Sequence, residues 1–314
     1  MNIEDLLRET FSDMAQEEQP PPPGRFFPVG RRRSRRRGLA LAAAAAVTVL
    51  AVGSTLAVQG LSSRTAAPAV LTRQGSGETR TDNRITLPEG LRLSMVLTEL
   101  SAATGKPLKE FERAAEDDEA LGLPVYAKGA LEGFAFPGTY DVSPTSSPKE
   151  ILAAMVARFG RVAEDTGLVE GARRLGRTPL EILTIASIVQ AETLDRRDMP
   201  KVARVVYNRL HRTPEMRLQM DSTVLYGLNK LGSRASKGDL KSRSPYNTYV
   251  HLGLPPGPIC NPGADAIKAA LNPAAGRWLW FVTTDPEKGV TKFADSESAF
   301  FTLVEEYKKN LKTG

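Results

Sequence analysis

One acidic side chain, Glu192, closes the apolar stretch SIVQAET at 187–193, which has the pattern of a helix ending. Three aliphatic residues lie seven, four and three positions earlier and share its helical face: Ile185, Ile188 and Val189. A carboxyl group among aliphatic neighbours, at the negative end of a helix dipole, resists ionisation. The sequence therefore predicts a carboxyl with a raised pKa, as a general acid requires.

The helical pattern alone also permits a structural role for Glu192. The helix could simply reach water there, or the carboxylate could pair with Arg196 four residues later. Gln190, two positions before Glu192, falls on another side of the helix. We expect Gln190 not to serve the same pocket and to be dispensable for chemistry.

Two polar segments follow. RLQMDSTVLYGL at 217–228 places Gln219 and Asp221 just before a predicted short helix, whose free backbone amides Asp221 could cap. In SPYNTYVHLGLPPGPICNPG at 244–263, seven of the last eleven residues are Gly or Pro, so the loop is stiff.

Amide and phenol side chains stand beside that loop, at Tyr246, Asn247 and Tyr249. Such groups on a rigid loop suit a sugar, which offers apolar ring faces and many hydroxyls. The alternative interpretation is a plain connector.

Composition excludes several other classes of protein. Of the 314 residues 41% are hydrophobic, as in a globular protein, and the net charge of +6 comes from six arginines within 31–37. This local cluster argues against a nucleic-acid partner. One cysteine and two histidines make a zinc site improbable, and no G-x-S-x-G, H-E-x-x-H or P-loop pattern is present. We expect neither a metal nor a cofactor.

The first 84 residues predict a membrane anchor. An acidic, proline-rich tail with the arginine cluster occupies 1–37 and should be disordered. The uncharged stretch 38–58 is long enough for a transmembrane helix, although a cleaved signal peptide or a buried helix are alternatives. The arginines predict a cytoplasmic N-terminus, and 59–84 has the composition of a flexible tether. The rest should lie outside the cytoplasmic membrane.

The remaining chain predicts an α+β fold, with a small α+β subdomain at 85–146 packed on a mainly helical domain at 147–314. Ser147 and Thr178 each precede Pro at the first helical position and Glu at the third, the pattern of a capping box. Short strands are expected near Ile85 and within 131–142. Residues 278–282 and 290–293 should form a C-terminal β-hairpin, followed by a last helix.

Five linked motifs resemble the YceG-like endolytic murein transglycosylases in order and spacing: ASIVQAET, MPKVARVVYNRL, MRLQMDSTVLYGL, SPYNTYVHLGLPPGPICNPGADAIKAALNPA and WLWFVTTD. The resemblance implies a single-pass membrane protein that cuts peptidoglycan glycan strands internally and limits the length of nascent strands. Its products would carry 1,6-anhydro-N-acetylmuramic acid ends. Peptidoglycan synthases would be its partners.

The resemblance also implies the site residues. The family motif E-K-E-T has its second Glu catalytic, and here Gln190 replaces the first Glu while Glu192 keeps the second. Matching motif positions make substrate contacts of Gln219, Asp221, Tyr226, Asn247 and Tyr249. The family's LysM-like region should be reduced within 85–146, because only a short tether precedes it.

The implied mechanism uses one acid twice. Glu192 would protonate the glycosidic oxygen and then take the proton of the muramoyl C6 hydroxyl as that hydroxyl attacks C1. Two alternatives remain open. Asp221 could instead activate water, which would make a muramidase-type hydrolase, or the chain could be a noncatalytic scaffold that binds peptidoglycan or a synthase.

Overall fold

The computed structural model describes residues 84–143, 145–232 and 234–313. The predicted tail at 1–37, the predicted span at 38–58 and the predicted tether, apart from Arg84, lie outside the described residues. Among the helices that the structure does describe, none combines the length and the apolar character needed to cross a bilayer.

The described residues form ten α-helices, three short 3₁₀ helices and two pairs of strands. The strands are β1 (Arg84–Leu87), β2 (Gly138–Asp141), β3 (Trp280–Asp285) and β4 (Val290–Ala294). The helices are α1 (Leu93–Thr104), α2 (Leu108–Ala115), α3 (Asp118–Leu121), α4 (Pro148–Asp165), α5 (Leu168–Arg174), α6 (Pro179–Glu192), α7 (Met199–Leu210), α8 (Asp221–Gly227), α9 (Ala264–Leu271) and α10 (Glu297–Thr313).

Both helix starts that the sequence marks are confirmed. At the start of α4 and of α6 the N-cap hydroxyl, Ser147 or Thr178, accepts the backbone N–H of the third residue, whose Glu side chain accepts the N-cap N–H in return. Each box satisfies two backbone donors that a helix start leaves open. This fixes where the helix that carries Glu192 begins.

Helix α6 is the central element of the core. Its residues 182–189 are all buried, which a surface helix with one apolar stripe would not allow. One continuous apolar cluster reaches from Ile85 in β1 to Leu271 in α9 and includes Leu183 and Ile188 of α6. The two predicted regions, 85–146 and 147–314, therefore share a core. The surrounding elements hold the end of α6 in a fixed place.

The two sheets are small antiparallel pairs. Strand β1 pairs with β2, so that Ile85 lies opposite Tyr140, and its burial alternates as expected of a strand with one covered face. The predicted C-terminal hairpin is confirmed as β3 and β4, with a bulge between Thr283 and Asp285. A second apolar cluster joins this hairpin to α10. The domain is thus mainly helical, with little sheet.

Candidate active site

Glu192 is the last residue of α6, and its carboxylate meets the start of α8. The Ser222 hydroxyl donates to Glu192 Oε1 over 2.6 Å, and the Ser222 backbone N–H donates to the same oxygen over 3.3 Å. Within the described ranges no hydrogen bond reaches the other oxygen, Oε2. Arg196 bonds Glu89 and Asp265 rather than Glu192. Ser222 therefore holds the carboxyl through Oε1, and Oε2 remains available.

The environment raises the pKa of Glu192 to about 6. Loss of hydration on burial is the largest cause, and the nearby Asp221 carboxylate adds to it. The hydrogen bonds from Ser222 and the charge of Arg209 act in the opposite direction. The predicted rise is confirmed, but polar neighbours stand beside the aliphatic ones that the helical pattern predicts. At neutral pH about a tenth of this carboxyl is protonated.

Arg209 is a buried cation behind the site. Its guanidinium donates to the backbone carbonyls of Leu218 and Leu279, and only 5% of the residue is exposed. These two carbonyls satisfy the guanidinium and allow it to lie inside the protein. Arg209 thereby fixes the segment that leads into α8.

Asp221 is the first residue of α8 and does not cap it. The residue at the N-cap position is Met220, and Asp221 instead accepts the Tyr249 hydroxyl over 2.6 Å and the Ala235 N–H over 3.1 Å. The predicted capping role is therefore wrong, because both oxygens bond groups from distant segments. Burial raises the pKa of Asp221, as expected for a carboxyl removed from water.

Two of the residues predicted as substrate contacts lie in the interior. The Asn247 amide donates to the carbonyls of Leu240 and Ser242 and accepts the Tyr249 N–H, and none of Asn247 is exposed. Tyr249 is 2% exposed and bonds Asp221. Asn247 and Tyr249 therefore hold their own loop together and against α8, and neither side chain presents a surface to a ligand.

Gln219 is buried as well, with 9% of its surface exposed, and its backbone has φ of 50°. This left-handed conformation is uncommon for a residue with a side chain and is most often found where a chain must turn sharply. Its N–H donates to the Thr248 carbonyl. Gln219 therefore helps to fix the turn into α8.

A second buried carboxylate, Glu132, lies at the opposite end of α8. Its oxygens accept the Leu93 N–H at 3.0 and 3.1 Å, the Tyr226 hydroxyl at 3.1 Å and the Asn261 amide at 3.2 Å. Burial raises the pKa of Glu132 to about 7, against the hydrogen bonds and the charge of Arg92. Sequence reasoning missed this residue. The available signal was an acid inside the otherwise apolar segment LEGFAF at 131–136.

Tyr226, the remaining predicted contact, is half-buried beside Glu132 and lines a cavity of about 380 Å³. Its ring centroid lies 4.8 Å from that of Tyr246. Of the five predicted contact residues, Tyr226 is thus the one that lines this cavity. It is separated from Ser222 by one turn of α8, which spans about 6 Å.

The second half of the stiff loop, residues 257–263, is buried between α6 and the segment after α3. The Ile259 N–H donates to the Ser187 hydroxyl, and the Asn261 amide accepts the N–H groups of Gly133 and Ala135. Gln190 accepts the Gly263 N–H over 3.0 Å. Gln190 therefore bonds this loop rather than Ser222, the partner of Glu192. The rigid loop therefore fixes the position of α6 relative to Glu132.

Similarity to known proteins identifies the family to which this chain belongs. The chain belongs to the YceG-like family, whose sequence profile matches residues 54–310. A protein from Bacillus subtilis (strain 168) named endolytic murein transglycosylase is 31% identical over 230 residues, covering 68% of this chain and 62% of that protein. One of the same name from Streptococcus pneumoniae serotype 2 is 34% identical over 183 residues, covering 56% and 32%.

The fold also has a solved relative. The crystal structure of a yceG-like protein from Listeria monocytogenes superposes with a TM-score of 0.63 at 29% identity, covering 70% of this chain and 76% of that one. The matched parts span about three fifths of the length of the Bacillus relative and one third of that of the Streptococcus relative.

Proposed function

We propose that the chain is a lytic transglycosylase that cleaves the β-1,4 bond between N-acetylmuramic acid and N-acetylglucosamine inside glycan strands. Its products carry 1,6-anhydro-N-acetylmuramic acid ends. The observation that carries this proposal is the state of Glu192, a carboxyl with a pKa of about 6, one oxygen bonded to Ser222 and one available. Relatives named endolytic murein transglycosylase supply the substrate class.

Glu192 performs both proton transfers in the proposed reaction. Its Oε2 carries the proton to the glycosidic oxygen as the bond to C1 breaks. The resulting carboxylate then takes the proton of the C6 hydroxyl while the C6 oxygen bonds C1, so the acid is regenerated and no water is consumed. The O–H and N–H of Ser222 stabilise the carboxylate between the two transfers.

The position of Asp221 favours this reaction over hydrolysis. A hydrolase of the inverting type needs a second carboxylate with an oxygen free to activate water. The Asp221 oxygens accept the Tyr249 hydroxyl and the Ala235 N–H, and burial raises the pKa of Asp221. Asp221 thus supports the electrostatics of Glu192 instead of acting as a base.

The proposal includes the cellular setting that the sequence predicts. Residues 38–58 anchor the chain in the cytoplasmic membrane as a single span, with the N-terminus in the cytoplasm and the folded domain outside. There the enzyme meets nascent glycan beside peptidoglycan synthases and limits its length. The arginines within 31–37 support this orientation.

Digestion of purified peptidoglycan by the full chain tests the proposal. We expect mass spectrometry to find new anhydro ends within strands, absent with Glu192→Gln and present with Glu164→Gln, a matched change at an exposed position. Reducing muramic acid ends would instead identify a hydrolase. Glycan binding without cleavage by the unaltered chain would identify a scaffold.

A further inference from the structure

The buried guanidinium of Arg209 connects the C-terminal hairpin to the segment that holds the acid. Its Nε donates over 2.6 Å to the carbonyl of Leu279, the residue just before β3, which itself pairs with β4. Its Nη1 donates to the carbonyl of Leu218. Four residues after Leu218 comes Ser222, whose hydroxyl donates to Glu192. One side chain therefore bridges the hairpin and the start of α8.

The turn between Leu218 and Ser222 is bonded at each of its residues. The Thr248 carbonyl accepts the Gln219 N–H over 3.1 Å, and the Thr248 hydroxyl accepts the Met220 N–H over 2.9 Å. Because residues 218, 219 and 220 are all fixed, a displaced Leu218 carbonyl would displace Ser222 as well. Displacements below 1 Å already matter for groups that transfer a proton.

Arg209 also faces the ionisable groups of the site. Beside burial, two charges act on the pKa of Glu192, with Asp221 raising it and Arg209 lowering it. Tyr249, which bonds Asp221, is influenced by Arg209 too, and Arg234 acts on Asp221. Burial lowers the pKa of Arg209 to about 10, so its guanidinium stays charged at neutral pH. Arg209 is thus a buried positive charge that opposes Asp221.

This charge is fixed in place but not cancelled. Within the described ranges the hydrogen bonds of Arg209 go to two carbonyls, which are neutral. In the proposed reaction Glu192 is a carboxylate between its two proton transfers. A positive charge that is already oriented in a buried site stabilises such an anion without having to rearrange.

We propose that Arg209 is a positioning residue for Glu192, which fixes the turn before α8 through the Leu218 carbonyl and stabilises the transient carboxylate by its charge. The C-terminal hairpin then belongs to the catalytic unit, because Leu279 orients the guanidinium. This rests on the proposed function, since that reaction takes Glu192 through a carboxylate.

Replacement of Arg209 by Lys and by Gln in the full chain tests this role. Both side chains donate hydrogen bonds, but only Lys is charged. We expect each variant to lower kcat about tenfold with KM within about twofold, because the turn shifts while no substrate contact is lost. Arg209→Gln should also move the alkaline limb of the pH–rate profile up by about one pH unit, whereas Arg209→Lys should leave it in place.

Arg204 provides a matched control on the same helix, α7. It also donates to two backbone carbonyls, those of Ala274 and Pro273, which lie outside the turn before α8. Arg204→Gln should therefore lower the melting temperature without changing kcat or the alkaline limb. Thermal unfolding of all variants separates a loss of stability from a loss of rate.

NMR of the glutamate carboxyl carbons measures the pKa of Glu192 without turnover, since Glu192→Gln identifies the signal by removing it. The pKa should rise in Arg209→Gln and stay in Arg209→Lys. An unchanged pKa in Arg209→Gln, or an unchanged kcat in Arg209→Lys, would overturn the role. If Arg209→Gln does not fold, Arg209→Lys decides alone, by a lowered kcat with an unmoved limb. Reducing ends among the products would refute the proposed function only, because the pKa is measured without it.

Discussion

The two ends of α8 each meet a glutamate, and the two glutamates are bonded differently. At the start of the helix Ser222 gives both of its donors to one oxygen of Glu192. At its end Glu132 accepts from Tyr226, Leu93 and Asn261 across both oxygens. Burial raises the pKa of both carboxyls, to about 6 and about 7.

A raised pKa therefore does not by itself identify the acid. Glu132 titrates closer to neutrality, yet its hydrogen bonds bind three separate segments together and leave no oxygen open to a substrate. Glu192 has an available oxygen at the same time as a raised pKa. This difference in hydrogen bonding assigns proton transfer to Glu192, at the start of α8. It assigns the organisation of the cavity to Glu132, at the end of α8.

The largest expected effect is on kcat, which should fall much more when Glu192 is changed than when Glu132 is changed. Glu192→Gln should lower kcat by about 10²- to 10⁴-fold, because the amide can neither give nor take the proton. Glu132→Gln should lower kcat less than about tenfold, since the amide oxygen still accepts hydrogen bonds. Initial rates of anhydro-end formation measure both. A larger loss from Glu132→Gln would reverse the assignment.

The second prediction concerns stability and pH. The fold raises the pKa of Glu192 from 4.5 to about 6, so the folded chain holds this proton more firmly than the unfolded chain does. Its contribution is fully present below pH 4.5 and is lost as the pH rises through about 6. Glu192→Gln should therefore raise the free energy of unfolding by about 2 kcal/mol at alkaline pH.

Urea unfolding across the pH range measures that difference, with Glu164→Gln as the control at an exposed position. The increase in the free energy of unfolding caused by Glu192→Gln should disappear near pH 4. At that pH the Glu192 side chain is mostly protonated, so it is uncharged like the glutamine that replaces it. A gain of equal size at acid and alkaline pH would show that ionisation of Glu192 is not its cause.

The third prediction tests Ser222. Its hydrogen bonds lower the pKa of Glu192, so Ser222→Ala should raise that pKa above about 6. The alkaline limb of the pH–rate profile should move to higher pH, and kcat should fall about tenfold because the carboxylate loses a donor. Ser222→Thr, which keeps the hydroxyl, should restore both. If the alkaline limb of the pH–rate profile does not move, the hydrogen bonds of Ser222 do not control the pKa of the catalytic acid.

The smallest effect is expected at Gln190. Gln190→Ala removes the acceptor of the Gly263 N–H and should lower the free energy of unfolding by about 1 kcal/mol. The rate should stay within about twofold, because Gln190 bonds the loop and not the segment that holds Glu192. Gln190→Glu keeps the acceptor and should restore the stability. A large loss of kcat at normal stability would contradict this separation.

Local patterns in the sequence predicted the features that depend on local contacts. The capping boxes at Ser147 and Thr178 and the C-terminal hairpin follow from residues close in the chain. The aliphatic helical neighbours of Glu192 predict the direction of its pKa shift, but burial in the whole fold and the Asp221 carboxylate cause it. The bonding of Glu132 could not be derived in this way, because its partners lie 39, 94 and 129 positions away.

Asn247 and Tyr249 show a related limit. Their polar groups suggest a surface for sugar, yet they are buried because backbone groups and Asp221 satisfy them. The partner of the Tyr249 hydroxyl, Asp221, lies 28 positions away, and such a tertiary contact is not encoded in local spacing. The partners of Asn247 lie within seven positions, so its burial follows from the fold of its own loop.

The most direct test of the central claim is digestion of peptidoglycan in water labelled with heavy oxygen. If Glu192 directs the C6 hydroxyl to C1, mass spectrometry should find anhydro ends that carry no label, and Glu192→Gln should slow their formation by at least about 10²-fold. Reducing ends that contain one heavy oxygen would mean that water attacks C1, which would contradict the account.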